Sequence, residues 1–199
     1  MIMRVSAGIL ALSVLGTLLL RIQLNMATGN SFPEALWVIY RFFTVWTNTA
    51  IGVVALLIAC ARPVSDNVQS ALLLAIGAVS IVYHVLLAHL VSYEGVERFV
   101  DVMLHSVVPL GWLAFWVVFT PKARLRFRAI PWWLLYPLVY CVYALVRGAF
   151  DGVYPYPFLN VEKLGLGGVA INVLGLLIVF SIGAAAIVVV GRLLAHRSG

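Results

Sequence analysis

Residues Gly168 to Val190 read GVAINVLGLLIVFSIGAAAIVVV, with no charged side chain anywhere in the run. Wound as an α-helix at about 1.5 Å per residue, a stretch of this length reaches the ~30 Å needed to cross the hydrocarbon core of a bilayer. A helix apolar on every side must be covered by a large fold or dissolved in lipid. The remainder of the chain supplies no cover, because its 199 residues are 64% hydrophobic and only 10% charged. Mean hydropathy is +1.09. Composition alone therefore reads as an integral membrane protein rather than a soluble domain.

The same pattern repeats outward from this run. Apolar spans fall at about 4–26, 36–60, 68–91, 99–119, 131–149 and 168–194. Gly29-Asn30-Ser31-Phe32-Pro33, Arg62-Pro63-Val64-Ser65-Asp66-Asn67, Pro121, and Pro155 with Pro157 punctuate the breaks. The expected fold is all-α, a polytopic bundle of six transmembrane helices forming a single domain over 1–199. Arg4 before the first span invites comparison with a signal peptide, but the run is long and Asn25-Met26-Ala27 is a poor cleavage site, so the span is read as a helix. Cys60 and Cys141 lie in separate apolar stretches and do not form a disulfide framework.

The formal charge of +6 is distributed as a topology signal. With both termini cytoplasmic, Arg4, Arg62, Lys122, Arg124, Arg126, Arg128, Arg192 and Arg197 fall inside. Arg21, Arg41, Arg98, Arg147 and Lys163 fall outside. These charges are divided among short loops rather than gathered with aromatics on one face, so nucleic acid is not expected as a partner.

Against this background three polar islands stand out: Arg41-Phe42-Phe43-Thr44-Val45-Trp46-Thr47-Asn48, Tyr83-His84, and Asp101 with His105. Ionisable groups in hydrocarbon are costly and mark functional sites by default. From the helical rise, Thr44 lies roughly 12 Å below the outer boundary, His84 about 10 Å and His105 roughly 9 Å. Arg41, Thr44 and Asn48 are spaced i, i+3, i+7, Ser80 and His84 are i, i+4, and so are Asp101 and His105, which gives each helix one polar stripe. Short loops make consecutive helices neighbours. One outer-leaflet pocket is expected, with Arg147, Asp151 and the loop Tyr154-Pro155-Tyr156-Pro157-Phe158 over its mouth.

Phe42-Phe43-Thr44-Val45-Trp46-Thr47-Asn48, Leu104-His105-Ser106-Val107-Val108-Pro109 and Tyr156-Pro157-Phe158-Leu159 follow the order seen in the androgen-induced-gene family of integral-membrane threonine hydrolases, and the chain resembles its bacterial six-helix branch between about residues 36 and 160. The resemblance implies hydrolysis of fatty-acyl esters, of the type in which a branched fatty acid esterifies a hydroxy fatty acid, with Thr44 as nucleophile and His105 as the histidine. It implies no cofactor or metal, a membrane lipid or fatty-acyl ester as the partner, and residence in a bacterial inner membrane. The oligomeric state is not legible from sequence.

The residues themselves carry plainer readings too. A threonine in a membrane helix ordinarily bonds its own i−4 carbonyl. Its hydroxyl becomes a nucleophile only with a base in reach, a role open to His105 with Asp101 one turn away to hold its tautomer. Ser106 points about 100° around the helix from His105 and is poorly aimed at it. His84 either makes an inter-helix hydrogen bond, to Tyr40 or Asn48, or supports the site. Arg41 and Arg147 either snorkel or pair with Glu34, Asp101 or Asp151, or they hold a substrate carboxylate. Asn48, Tyr83, Tyr154 and Tyr156 are candidate oxyanion donors. Trp37, Trp46, Trp112, Trp116, Trp132 and Trp133 read as anchors or packing.

Two other classes remain on the table. A bis-histidine haem protein would use His84 and His105 as axial ligands, and a lipid-binding or transport protein would use the pocket without chemistry. Lys122 and Lys163, both expected in loops, offer no Schiff-base lysine. No Gly-x-Ser-x-Gly elbow, phosphate-binding glycine loop or His-Glu-x-x-His motif is present.

Overall fold

The structure, a computed structural model, describes residues 1–197; Ser198 and Gly199, the end of the expected 1–199 domain, lie outside that range. The described residues are all-α, in eight helices: α1 (Ile2–Met26), α2 (Phe32–Ile39), α3 (Phe43–Ala59), α4 (Asp66–Val82), α5 (Gly95–Val102), α6 (Val108–Phe119), α7 (Ile130–Asp151) and α8 (Val161–Arg197). Five stretches are long and apolar enough to cross a membrane, and a sixth arises if the bent pair α2–α3 counts as one span. This is compatible with an integral membrane protein. The helices divide into two compact units, Met1–Pro121 and the part from Lys122 onward.

In the first unit α1 packs along α3, and both touch the α5–α6 segment or its neighbours. Ala7, Ala11, Val14 and Leu18 form the buried stripe of α1, opposite Ile51, Gly52, Ala55 and Ile58 of α3. Small residues let the two backbones approach, as in membrane helix pairs generally. Gly52 is one tight point, where a Cβ would lie 2.9 Å from a Leu15 methyl and 3.3 Å from Val14.

A continuous helix was expected over 36–60, and the structure corrects this. α2 and α3 meet at 104°. Arg41 therefore sits in the bend and not on a common stripe with Thr44 and Asn48. Ser31 begins α2, its backbone N–H and hydroxyl both donating to the Glu34 carboxylate at 2.7 and 2.6 Å. The bend is held by Trp46 Nε1, which donates to the Tyr40 carbonyl at 2.9 Å and so satisfies a group at the end of α2. The Tyr40 and Thr49 hydroxyls meet at 3.1 Å.

The far ends of α4 and α6 are clasped by buried polar groups. Trp112 Nε1 donates to the Gln69 carbonyl at 3.2 Å, Trp116 Nε1 to Ser70 Oγ at 2.8 Å, and Thr120 Oγ1 to Gln69 Oε1 at 2.7 Å. These two tryptophans are thus inter-helix donors, whereas Trp37 and Trp132 are exposed.

In the second unit α7 packs against α8. Gly152, in the left-handed region at φ 69°, ends α7. Lys163 was expected in a loop; it falls in the first turn of α8, ahead of the kink at Gly165. Lys122, in the segment between α6 and α7, is buried, and burial pushes its ammonium below its ordinary 10.5.

Candidate active site

Two helices carrying the polar islands are locally unwound to the wider π register. Beyond α4, Tyr83–Leu87 forms a π-turn, with the Ala88 N–H bonded to the Tyr83 carbonyl five residues back. Between α5 and α6, Met103–Val107 forms another, with Val108 N–H bonded to Met103 O. Such single turns recur at functional sites because the extra residue re-aims side chains. Pro109 explains part of the second. It has no N–H, so it cannot supply the next bond in that register, to the Leu104 carbonyl. Asn48 Nδ2 reaches across from α3 and donates to that carbonyl at 3.3 Å, as well as to Thr44 O at 2.8 Å.

Thr44 is the second residue of α3, in the first turn after the bend. Its Oγ1 lies 3.3 Å from His105 Nε2. On the other side of the ring, His105 Nδ1 is 3.0 Å from Asp101 Oδ1 and 3.0 Å from the Asp101 carbonyl. Two acceptors at Nδ1 place the proton there, which leaves Nε2 as the acceptor for the threonine hydroxyl. Tyr83 OH donates to the second Asp101 oxygen at 2.6 Å. The Tyr83 ring lies flat on His105, centroids 3.8 Å apart with 11° between planes. The result is a chain Tyr83–Asp101–His105–Thr44 drawn from three helices. The Asp101 and His105 side chains are only 15% and 16% exposed.

His84 pairs neither with Tyr40 nor with Asn48. Its Nε2 lies 3.0 Å from Ser106 Oγ, and its ring meets Tyr83 edge-on at 5.2 Å. The Nε2 atoms of His84 and His105 thus each face a hydroxyl rather than a shared ligand position. Among the described residues no group of three or more His, Cys, Asp and Glu is arranged to hold a metal.

Two of the expected oxyanion donors are already engaged. Tyr83 OH is committed to Asp101, and both donors of Asn48 face carbonyls. Asn48 Oδ1 and Thr47 Oγ1 are fully buried without a hydrogen-bond partner.

Arg147, Tyr154 and Tyr156 belong to the second unit. Arg147 is 4% exposed, with Nε 3.4 Å from Asp151 Oδ2 and Nη1 donating to Tyr143 OH at 2.9 Å. Gly148 admits the Tyr154 ring so closely that a Cβ there would overlap it. Tyr156 stacks on Phe158, centroids 5.1 Å apart at 5°.

The helix break, the two π-turns and the His84–Ser106 pair escape sequence reading. Of these features only the second π-turn carries a sequence signal, Pro109, a proline inside an apolar span. Comparison of the chain with protein-family models, curated proteins and solved structures finds no match.

Proposed function

We propose that this protein is an intramembrane lipid-ester hydrolase using Thr44 as nucleophile and His105 as general base. The observation that carries this reading is the relay Asp101–His105–Thr44, with contacts of 3.0 and 3.3 Å. A hydroxyl and a base within hydrogen-bond reach, with the base oriented by a carboxylate, is the arrangement that nucleophilic acyl transfer needs.

In this mechanism Thr44 Oγ1 bonds to the ester carbonyl carbon as its proton passes to His105 Nε2. The alcohol leaves with that proton, giving acyl-Thr44. Water then attacks the acyl carbon, its proton passing through His105, and the fatty acid is released. Asp101 holds the ring and stabilises the imidazolium without taking the proton. With Tyr83 and Asn48 engaged, the backbone N–H of Thr44 itself is the donor proposed for the oxyanion. The start of a helix carries partial positive charge, and Thr44 is the second residue of α3.

The resemblance of the threonine, histidine and Tyr-Pro-Phe segments suggests a fatty-acyl ester of a hydroxy fatty acid as substrate. It is also the basis for placing the protein in a bacterial inner membrane. Both termini are assigned to the cytoplasm, and the site to the outer leaflet, from the arginine and lysine distribution. A non-enzymatic lipid carrier is the competing reading.

The test is hydrolysis of a long-chain ester by protein in nanodiscs, with fluorophosphonate adducts mapped by peptide mass spectrometry. An adduct on Thr44 and at least a hundredfold slower hydrolysis in Thr44→Ala are expected, the scale set by a positioned base and its nucleophile. An unmodified Thr44 together with an unchanged rate in Thr44→Ala overturns the proposal.

A further inference from the structure

Ser106 and His84 form a second hydroxyl–imidazole pair. They come from different π-turns, and Ser106 Oγ lies 3.0 Å from His84 Nε2, closer than the Thr44–His105 contact. Tyr83 stands between the two imidazoles, flat on His105 and edge-on to His84, and so fixes the His84 ring. The surroundings differ from those of Thr44. His84 is exposed, Ser106 is partly so, and the neighbouring turns present Ile81, Val85, Val102 and Leu110, all exposed. A polar pair set in an exposed apolar surface matches a molecule with one ester group and a long alkyl chain.

The geometry points to Ser106 as an independent acyl-accepting nucleophile with His84 as its base, acting on long-chain acyl esters that approach the exposed face. Ser106 Oγ bonds to the carbonyl carbon as its proton moves to His84 Nε2. The C–O bond to the alcohol breaks, the alcohol departs with that proton, and acyl-Ser106 remains. Water activated by His84 then cleaves it to the fatty acid and free Ser106. A serine hydroxyl is primary and less hindered than a threonine, and the exposed position shortens the path of a lipid to it.

The experiment treats the full-length protein in nanodiscs with a long-chain alkyl fluorophosphonate, counts adducts by intact mass and locates them by peptide mapping. Ser106 reacts by forming the O–P bond as fluoride leaves and the proton passes to His84. The expected result is an adduct on Ser106 in the unmodified protein and in Thr44→Ala, absent in Ser106→Ala. In His84→Gln, Ser106 labelling slows by roughly a hundredfold. Near-UV circular dichroism of the tryptophans checks that each variant keeps its packing. No adduct on Ser106, under conditions that fully label a serine-hydrolase control in the same discs, overturns the inference. So does an unchanged Ser106 rate in a folded His84→Gln. Because Thr44 and Ser106 lie on different peptides, failure at one is read separately from failure at the other.

Discussion

Tyr83 touches Asp101 and His105 with different parts of one side chain, its hydroxyl 2.6 Å from the carboxylate and its ring stacked 3.8 Å from the imidazole. It thereby sets both the acceptor capacity of the acid and the plane of the base. Tyr83→Phe keeps the stack and removes the hydrogen bond. Since a hydrogen bond to a charged group contributes roughly 1.5–3 kcal/mol, ester hydrolysis should fall about ten- to hundredfold in kcat with little change in KM. Tyr83→Ala should lose more, because the ring of His105 is then free to turn. Steady-state kinetics of the two variants side by side makes the comparison.

Asn48 and Pro109 are coupled through a third residue, Leu104, whose carbonyl Asn48 satisfies because Pro109 cannot. Asn48→Leu should cost about 1–3 kcal/mol by leaving that carbonyl unpaired. Adding Pro109→Ala restores a backbone N–H and should recover part of the loss. A double-mutant cycle by thermal unfolding in detergent measures the coupling, and strict additivity would disprove it.

Thr47 buries a hydroxyl that has no partner. Thr47→Val keeps the shape and removes the unsatisfied group, so the variant should be as stable as the parent or more stable by about 1 kcal/mol. Ester hydrolysis should be unaffected. Thermal midpoints of the pair decide it.

The close approach of α1 and α3 at Gly52 leaves little room for a side chain. Gly52→Ile should destabilise the first unit by about 1–3 kcal/mol, the usual range for overpacking. Gly77, around which nothing lies within 4 Å, serves as the control position for the same substitution.

Lys122 provides a pH-dependent test. Its folded-state pKa lies below the unfolded 10.5 because burial disfavours the ammonium. Below the folded value both states hold the proton, so this group adds no pH dependence there. Between the folded value and 10.5 the unfolded state binds more protons, and stability rises with pH until it levels off above 10.5. Lys122→Met should abolish this alkaline rise, as followed by thermal unfolding across the pH series.

The apolar spans were legible because hydrocarbon crossing imposes a length and a composition that punctuation residues cannot hide. The polar islands were legible because such groups stand apart in apolar stretches, but the depth assigned to Thr44 assumed a straight helix from Leu36, and the 104° bend removes that assumption. The bend at Tyr40–Phe42 was not, since it contains neither glycine nor proline and is held through Tyr40 by Trp46 and Thr49 of α3. Nor were the π-turns. Changing a hydrogen-bond partner from four to five residues away alters no composition, yet it turns His84 toward Ser106 instead of Tyr40 or Asn48. Trp112 and Trp116 illustrate a further gap, because hydropathy records their rings and not the N–H groups that clasp α4.

The turn Met103–Val107 holds one residue more than an α-helical register would use, so the chain around His105 is, in effect, an insertion that folding keeps. Deleting one residue there would let the turn relax to a regular helix with the faces before and after it in place, but every side chain within the turn would shift by one position. His105 lies inside that turn, so removing Met103 or Leu104 would shorten its spacing from Asp101 from four residues to three while the helix itself became more regular. Chain length, counted to the single residue, is therefore as much a part of the relay as the identities of Asp101 and His105.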